Sequence, residues 1–233
     1  LAAASEEVTW EIEVADPDLL EAVADEYEVP GNPDPDTLRT IQDKLVQKEA
    51  LADAGIPVPD FIGVGGERDL RLAVAELDGV MLKAREGGYD GRGNVPIHTS
   101  DDAAEAYRAI EGPALLEEFV DYDRELSVIA VQGAEERRFL PIGENVHEEQ
   151  ILRETIVPAR TSDAVREQAR AVADDVLDVL EGRGVYAIEL FEASEARSAS
   201  DSQAAEGREA DGEVLVNEIA PRPHNSGHWT IEG

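Results

Sequence analysis

The sequence contains no cysteine. Disulfides, thiolate nucleophiles and cysteine-ligated metals are therefore excluded. Within these 233 residues no apolar run approaches the roughly 18 residues of a membrane-spanning helix, and no basic stretch leads into an apolar one. Positive charge is scarce: 20 Lys and Arg stand against 53 Asp and Glu, a net charge of −33. That field repels nucleic acid and anionic membranes, so neither is expected as a partner. Lysine is almost missing. Only Lys44, Lys48 and Lys83 occur, against 17 arginines. A chain that has exchanged nearly every lysine is expected to keep the rest for a reason, with chance retention on the surface open for Lys48.

The acid is spread along the whole chain rather than gathered in a tail. Molar salt shortens the Debye length to about 3 Å and makes such repulsion tolerable. The composition thus reads as a halophilic cytoplasmic protein rather than a mesophilic one with an acidic face. The length suits one or two domains. Leu1 at the start and "HWTIEG" at the end are what a fragment would show. A homodimer is compatible with the sequence, which does not set the oligomeric state.

Element signals follow one another along the chain. Val8, Trp10, Ile12 and Val14 alternate as in a strand. Asp16–Pro17 opens a helix to Tyr27, and Asp36 is placed to cap a second helix running to Ala54, stopped by Gly55 and Pro57. "FIGV" and "VMLKA" read as strands around a helix near Arg68–Leu77. "NVPIH", "ALLEEFV", "ELSVIAVQG", "RRFLPIG" and "QILRETIVPA" read as extended, and Asp101–Ile110 as a helix. Ser162–Leu180 is amphipathic, with Val165, Ala169, Val172, Val176 and Val179 near one face. "GVYAIELFEA" and "EVLVNEIA" are strands around a polar, low-complexity stretch at about 193–212, expected to be disordered. The sum is an α+β chain with much antiparallel sheet and no internal repeat.

Four stretches could carry chemistry. Gly87–Gly93 is a glycine-rich loop between two strands, where backbone N–H groups can approach phosphates. It has neither P-loop order nor the dinucleotide fingerprint, and alone it is equally a mobile hairpin. Lys83, on the strand before it, can aim a compact charge at a phosphate oxygen. Glu117 and Glu118 are adjacent on a strand and so face opposite sides, one solvated and one turned inward, and Glu125 carries the same ambiguity. Glu189 and Glu218 lie in apolar strands, where a carboxylate must be paired, hydrogen-bonded or metal-bound. With Asn217 or Asn225 they would make a hard oxygen site suited to magnesium, and a structural ion pair with arginine is the alternative. Arg222, His224, Asn225, Ser226 and His228 crowd the strand end after Glu218, where Arg222 and His224 would suit an anion. His98 and His147 look incidental on spacing alone.

Taken together, "QDKLVQKEAL…GIPVP", "LKAREGGYDGRGN", "LLEEFV…RELSV", "GVYAIELF" and "VNEIAPRPHNSGHW" resemble the ATP-grasp superfamily. Within it they are similar to the ATP- and bicarbonate-dependent 5-(carboxyamino)imidazole ribonucleotide synthetases of purine biosynthesis. The resemblance runs from about Val8 to the C-terminus. It implies an ATP-grasp fold in which two α+β subdomains grip ATP, with a lid subdomain at about 80–134. Lys44 and Lys83 would meet the nucleotide; the family more often has arginine at the first position. Gly88, Tyr89, Asp90, Gly91, Arg92, Gly93 and Asn94 would wrap the phosphates. Glu117, Glu118, Phe119 and Val120 would form the hinge at adenine, Glu125 would hold the ribose, and His147 and Asn217 would join the nucleotide site. Glu189 and Glu218 would hold Mg²⁺, with Mn²⁺ an alternative. Arg222, His224 and Asn225 would hold bicarbonate for catalysis, and Tyr89, Asp90 and Arg92 would face aminoimidazole ribonucleotide.

The implied reaction passes through carboxyphosphate, formed when bicarbonate attacks the γ-phosphate, before the substrate amine takes the carboxyl group. Three departures stand out. Residues 1–40 match only the end of the family's amino-terminal α/β domain, its small carboxy-terminal domain has no counterpart, and the acidic insertion after Phe191 is longer than usual. Two rivals stay open: an ATP-grasp ligase with another acceptor, and a non-catalytic nucleotide-binding module.

Overall fold

The computed structural model describes residues 2–12, 14–74, 79–87, 93–99, 101–110, 112–148, 151–194 and 213–231. Its first helix, α1 (Pro17–Tyr27), starts where Asp16 accepts the amides of Asp18 and Leu19. The predicted strand before it does not form. Among its described residues only Val8 pairs, in a single parallel bridge to Gly31, and Ile12 and Val14 are 56% and 71% exposed. Alternation assigns faces, but a strand exists only where another lies alongside.

The single helix predicted up to Ala54 is two. Asp34, not Asp36, caps α2 (Pro35–Gln42), with Pro35 at its first position. Asp43 then breaks the run and caps α3 (Lys44–Asp53), accepting from the amides of Leu45 and Val46. A good capping residue inside a helical pattern competes with its continuation.

Two antiparallel sheets follow, each with its own core. The smaller has the order β1-β4-β2-β3: β1 (Phe61–Val64), β2 (Val80–Ala84), β3 (Asn94–Ile97) and β4 (Ala114–Glu118). Helices α4 (Glu67–Ala73) and α5 (Ala103–Ile110) cover it, burying Leu70, Ala106 and Ile110 against Val80, Leu82 and Leu116. The larger has the order β10-β9-β5-β7-β8, with β6 (Arg137–Phe139) beside β5. Its strands are β5 (Tyr122–Gln132), β7 (Gly143–Glu148), β8 (Ile151–Ile156), β9 (Gly184–Ala193) and β10 (Val214–Ala220). Helix α6 (Asp163–Val179), capped by Ser162, lays Val165, Ala169, Val172 and Val176 on this sheet, the face its periodicity predicts. Strand β7 was not foreseen, because its short polar run "GENVHE" follows the apolar residues assigned to the preceding strand.

Residues 80–134, expected to be one lid, divide between the sheets. β2, β3 and β4 join β1, whereas β5 pairs with β9 along its length and is central to the large sheet. β5 is an eleven-residue strand whose middle, Leu126–Ala130, is buried continuously against β9 and its neighbours, and that places it in the large sheet. The disorder expected over 193–212 largely falls outside the described residues; Ala193 closes β9, and its amide bonds Glu213 O at 2.8 Å.

Candidate functional site

All three lysines of the chain meet at the seam between the two sheets. Lys44 and Lys48 lie one turn apart on α3 and so project from one helix face. Lys83 lies opposite Leu115 in the β2–β4 ladder, which makes Glu117, two residues further along β4, its diagonal neighbour on the same sheet face. Lys83 Nζ donates to Glu117 Oε1 and also lies 3.4 Å from Asn217 Oδ1 of the large sheet. Lys48 Nζ is 2.8 Å from Glu117 Oε2 and donates to the Val216 carbonyl at 3.0 Å. Lys44 Nζ donates to Glu218 Oε1. A narrow hollow is lined by these lysines with Gln47, Leu115, Glu117, Asn217 and Glu218.

Burial dominates the electrostatics here. The side chains of Lys48 and Glu117 are each 3% exposed. Burial pushes the Lys48 ammonium down to about 8 against the pull of Glu117. For Glu117, burial acts upward, but Lys83 and Lys48 outweigh it and hold the carboxyl down at about 2. The glycine-loop strand is tied to α3 as well. Arg85 Nε lies 2.8 and 3.0 Å from the two Asp43 carboxylate oxygens, and the Lys44 amide donates to Arg85 O at 2.9 Å.

Glu189 and Glu218 are direct partners across the β9–β10 ladder, as two facing carboxylates in apolar strands suggest. The ladder shifts register between Val216 and Glu218, leaving Asn217 as the extra residue of a bulge. This bulge frees the Val216 carbonyl for Lys48, while the Val216 amide bonds Pro57 O at 2.8 Å. Burial and the facing Glu218 push the Glu189 carboxyl up to about 7. Burial also acts upward on Glu218, but Lys44 overcomes it and holds that carboxyl below its ordinary value. His224 Nδ1 lies 3.7 Å from Glu189 Oε1 and 2.9 Å from Ser226 Oγ. Among the described residues, no three His, Cys, Asp or Glu form a cluster that could hold a metal.

The other predicted residues fall around this seam. Glu125 accepts from Tyr122 Oη at 2.6 Å and lies 2.8 Å from His147 Nδ1. His147 and Tyr122 hold the Glu125 carboxyl low despite burial, and Glu125 raises the imidazole. His147, incidental on spacing, is thus placed by β7 against a carboxylate on β5. Glu117 points inward, while Glu118 turns the other way and accepts the Asp60 amide at 3.0 Å. Phe119 is exposed, stacks on His98 with ring centroids 6.0 Å apart, and donates its amide to Gly79 O at 3.0 Å. Val120 follows on the connection to β5, and Gly93 and Asn94 lead into β3. Arg222 Nη1 donates to Pro223 O at 3.0 Å, and Asn225 Oδ1 accepts the Ser226 amide at 3.0 Å. Gly88, Tyr89, Asp90, Gly91 and Arg92 lie outside the described residues.

Chains of similar fold and sequence are known. The ATP-grasp domain model matches residues 49–233. The chain belongs to the ATP-grasp family. Among similar proteins, the N5-carboxyaminoimidazole ribonucleotide synthase of Bacillus subtilis is 35% identical over 235 residues, covering 100% of this chain and 57% of that protein. The carboxyaminoimidazole ribonucleotide synthase of Aspergillus clavatus, solved with ATP, superposes with a TM-score of 0.89 at 34% identity, covering 100% of this chain and 57% of that one. A second structure of that enzyme, with ADP and 5-aminoimidazole ribonucleotide, gives 0.85 and 33% over the same shares. This ATP-grasp chain therefore spans 57% of the length of each of these three relatives.

One residue of the ATP-grasp seam escaped the sequence reading. For Lys48 the sequence leaves chance retention on the surface open, and the structure buries it at the centre. Two signals marked it: the scarcity of lysine and its spacing of four from Lys44 on a helix.

Proposed function

We propose that this chain is the ATP-binding core of a carbon–nitrogen ligase that carboxylates 5-aminoimidazole ribonucleotide with bicarbonate in purine biosynthesis. The observation that carries it is that Lys44 on Glu218 and Lys83 beside Asn217 meet at the seam next to the facing pair Glu189 and Glu218, in a chain otherwise nearly stripped of lysine. Such a set suits a polyphosphate and its cation. Similarity to synthases over the whole chain supports the acceptor.

The residues fit a divalent cation. Glu189 faces Glu218 and is pushed up to about 7, the response of a carboxylate that lacks a sufficient positive neighbour. Two carboxylates with remaining positions left to water and phosphate suit Mg²⁺, and Mn²⁺ takes the same donors. When bound, the ion would neutralise charge on the phosphate oxygens. In this structure Lys44 and Lys83 rest on Glu218 and Glu117; a triphosphate would share those ammoniums. Glu125, oriented by Tyr122 and His147, would accept ribose hydroxyls. The hinge after Glu117 would take adenine.

His224 and Arg222 would hold bicarbonate beside the γ-phosphate, with Asn225 in the same turn. A bicarbonate oxygen attacks phosphorus and ADP leaves, giving carboxyphosphate. The substrate amine then attacks the carboxyl carbon and phosphate leaves. Tyr89, Asp90 and Arg92 are assigned to the ribonucleotide on their sequence strings. We place the lid at the small sheet, Phe61–Glu118, and assign residues 1–40 to a preceding domain. Among the described residues no helix is long and apolar enough to cross a membrane; we infer a cytoplasmic site of action.

The test is ADP release by the intact protein with bicarbonate and aminoimidazole ribonucleotide each omitted in turn. Release that depends on both supports the assignment. Release that needs a different amine or acid acceptor would make the protein another ATP-grasp ligase, and nucleotide binding without release would make it a binding module.

A further inference from the structure

Lys48 has no part in the chemistry above, yet it is among the most enclosed charges described. Its ammonium takes one oxygen of Glu117, and Lys83 takes the other. Its second partner is the Val216 carbonyl, which the bulge in β10 turns away from the ladder. The same bulge sets Asn217 3.4 Å from Lys83 and Glu218 opposite Glu189. One side chain on α3 therefore joins the strand that precedes the hinge to the strand that carries a carboxylate of the cation pair.

Stability alone does not demand this. A buried ion pair can often be replaced by apolar side chains without loss of stability. Nor is a positive charge of any shape enough. The chain has 17 arginines, but a planar guanidinium cannot occupy the compact place where Lys48 reaches both a carboxylate and a carbonyl.

We propose that Lys48 is a positioning residue: by occupying one oxygen of Glu117 and the Val216 carbonyl, it holds Glu117 so that the Lys83 ammonium stands at the seam, available to phosphate. The proposal rests on the reading that the seam takes a nucleoside triphosphate. Without Lys48, both Glu117 oxygens and its whole charge fall to Lys83, which is drawn into that pair and away from an incoming anion. The loss is specific to the polyphosphate tail.

The test is calorimetric titration of this chain with MgATP and with adenosine at molar salt. Lys48→Met is expected to weaken MgATP about tenfold or more, the scale of a charge-assisted hydrogen bond, and adenosine less than about threefold. Adding Glu117→Gln to Lys48→Met is expected to recover most of the MgATP affinity, because the competing charge is gone. Equal weakening of both ligands, unchanged MgATP binding, or no recovery in the double variant overturns the proposal. A second measurement needs no Lys48→Met protein. Chain labelled at lysine Cε shows three signals, assigned with Lys44→Arg and Lys83→Arg. MgATP is expected to move the Lys44 and Lys83 signals and leave Lys48 nearly in place. A Lys48 signal that moves as far as that of Lys83 places it on the nucleotide and overturns the positioning role. A wild-type chain that binds neither ligand overturns the nucleotide reading itself, and the proposal with it.

Discussion

Glu117→Gln separates the electrostatics of the seam from its packing. Glu117 is held at about 2 rather than its ordinary 4.5, so its ionised form is favoured by folding. A depressed carboxyl contributes its full stability above the ordinary value and loses it as pH falls towards the folded one. At about 1.36 kcal/mol per pH unit, the shift corresponds to about 3 kcal/mol at pH 7. At pH 3 the same relation leaves about 1 kcal/mol. Glutamine keeps the shape and lacks the titration; losing the Glu117 charge lets burial pull the Lys48 ammonium lower still, so the two proteins are compared on the acid side, pH 5 to 3. The stability difference between wild type and Glu117→Gln is therefore expected to shrink by about 2 kcal/mol between pH 5 and pH 3. Urea unfolding at fixed molar salt measures it, because the salt screens the surface carboxylates common to both proteins. A difference that stays constant over this range would refute the coupling of Glu117 to Lys48 and Lys83.

Three further outcomes are expected. Lys83→Ala in the intact enzyme should weaken ATP use roughly tenfold or more whatever the acceptor, whereas His224→Ala should leave ATP affinity nearly intact and cut bicarbonate-dependent turnover about a hundredfold; titrations of ATP and bicarbonate on each variant decide this. Glu189→Gln should raise the Mg²⁺ concentration needed for ATP binding by roughly tenfold or more, and a calorimetric Mg²⁺ titration unaffected by the change would remove Glu189 from the cation site. Gly182→Ala should cost roughly 2–4 kcal/mol in thermal unfolding, because Gly182 has φ +91° and a Cβ there would meet the Asp34 amide nitrogen at 2.5 Å.

The local signals in this chain were strong where one element could be judged alone. Ser162 and the apolar stripe of α6 mark a helix on their own, since capping and a 3.6-residue period are properties of contiguous residues. The lysine scarcity and the two glutamates in apolar strands pointed to the seam before any contact was known. What failed was what depends on neighbours. Val8–Val14 alternates like a strand but finds a partner only at Val8, and Asp43 could be seen as a cap only once α3 had turned away from α2.

By itself the sequence determined most of the element types, the acidic composition and the identity of the groups able to meet an anion or a cation. Only the tertiary structure decided which of them meet. Glu189 and Glu218 face each other because β9 and β10 pair in one register, and the single extra residue at Asn217 turns a carbonyl towards Lys48. His147 meets Glu125 because β7, a strand the pattern does not show, carries it against β5, and Lys48, for which chance retention on the surface is open in the sequence, lies at the centre of the seam. The reason is physical. Periodicity is written in neighbours along the chain, whereas strand register and helix docking are settled by burial summed over the whole fold.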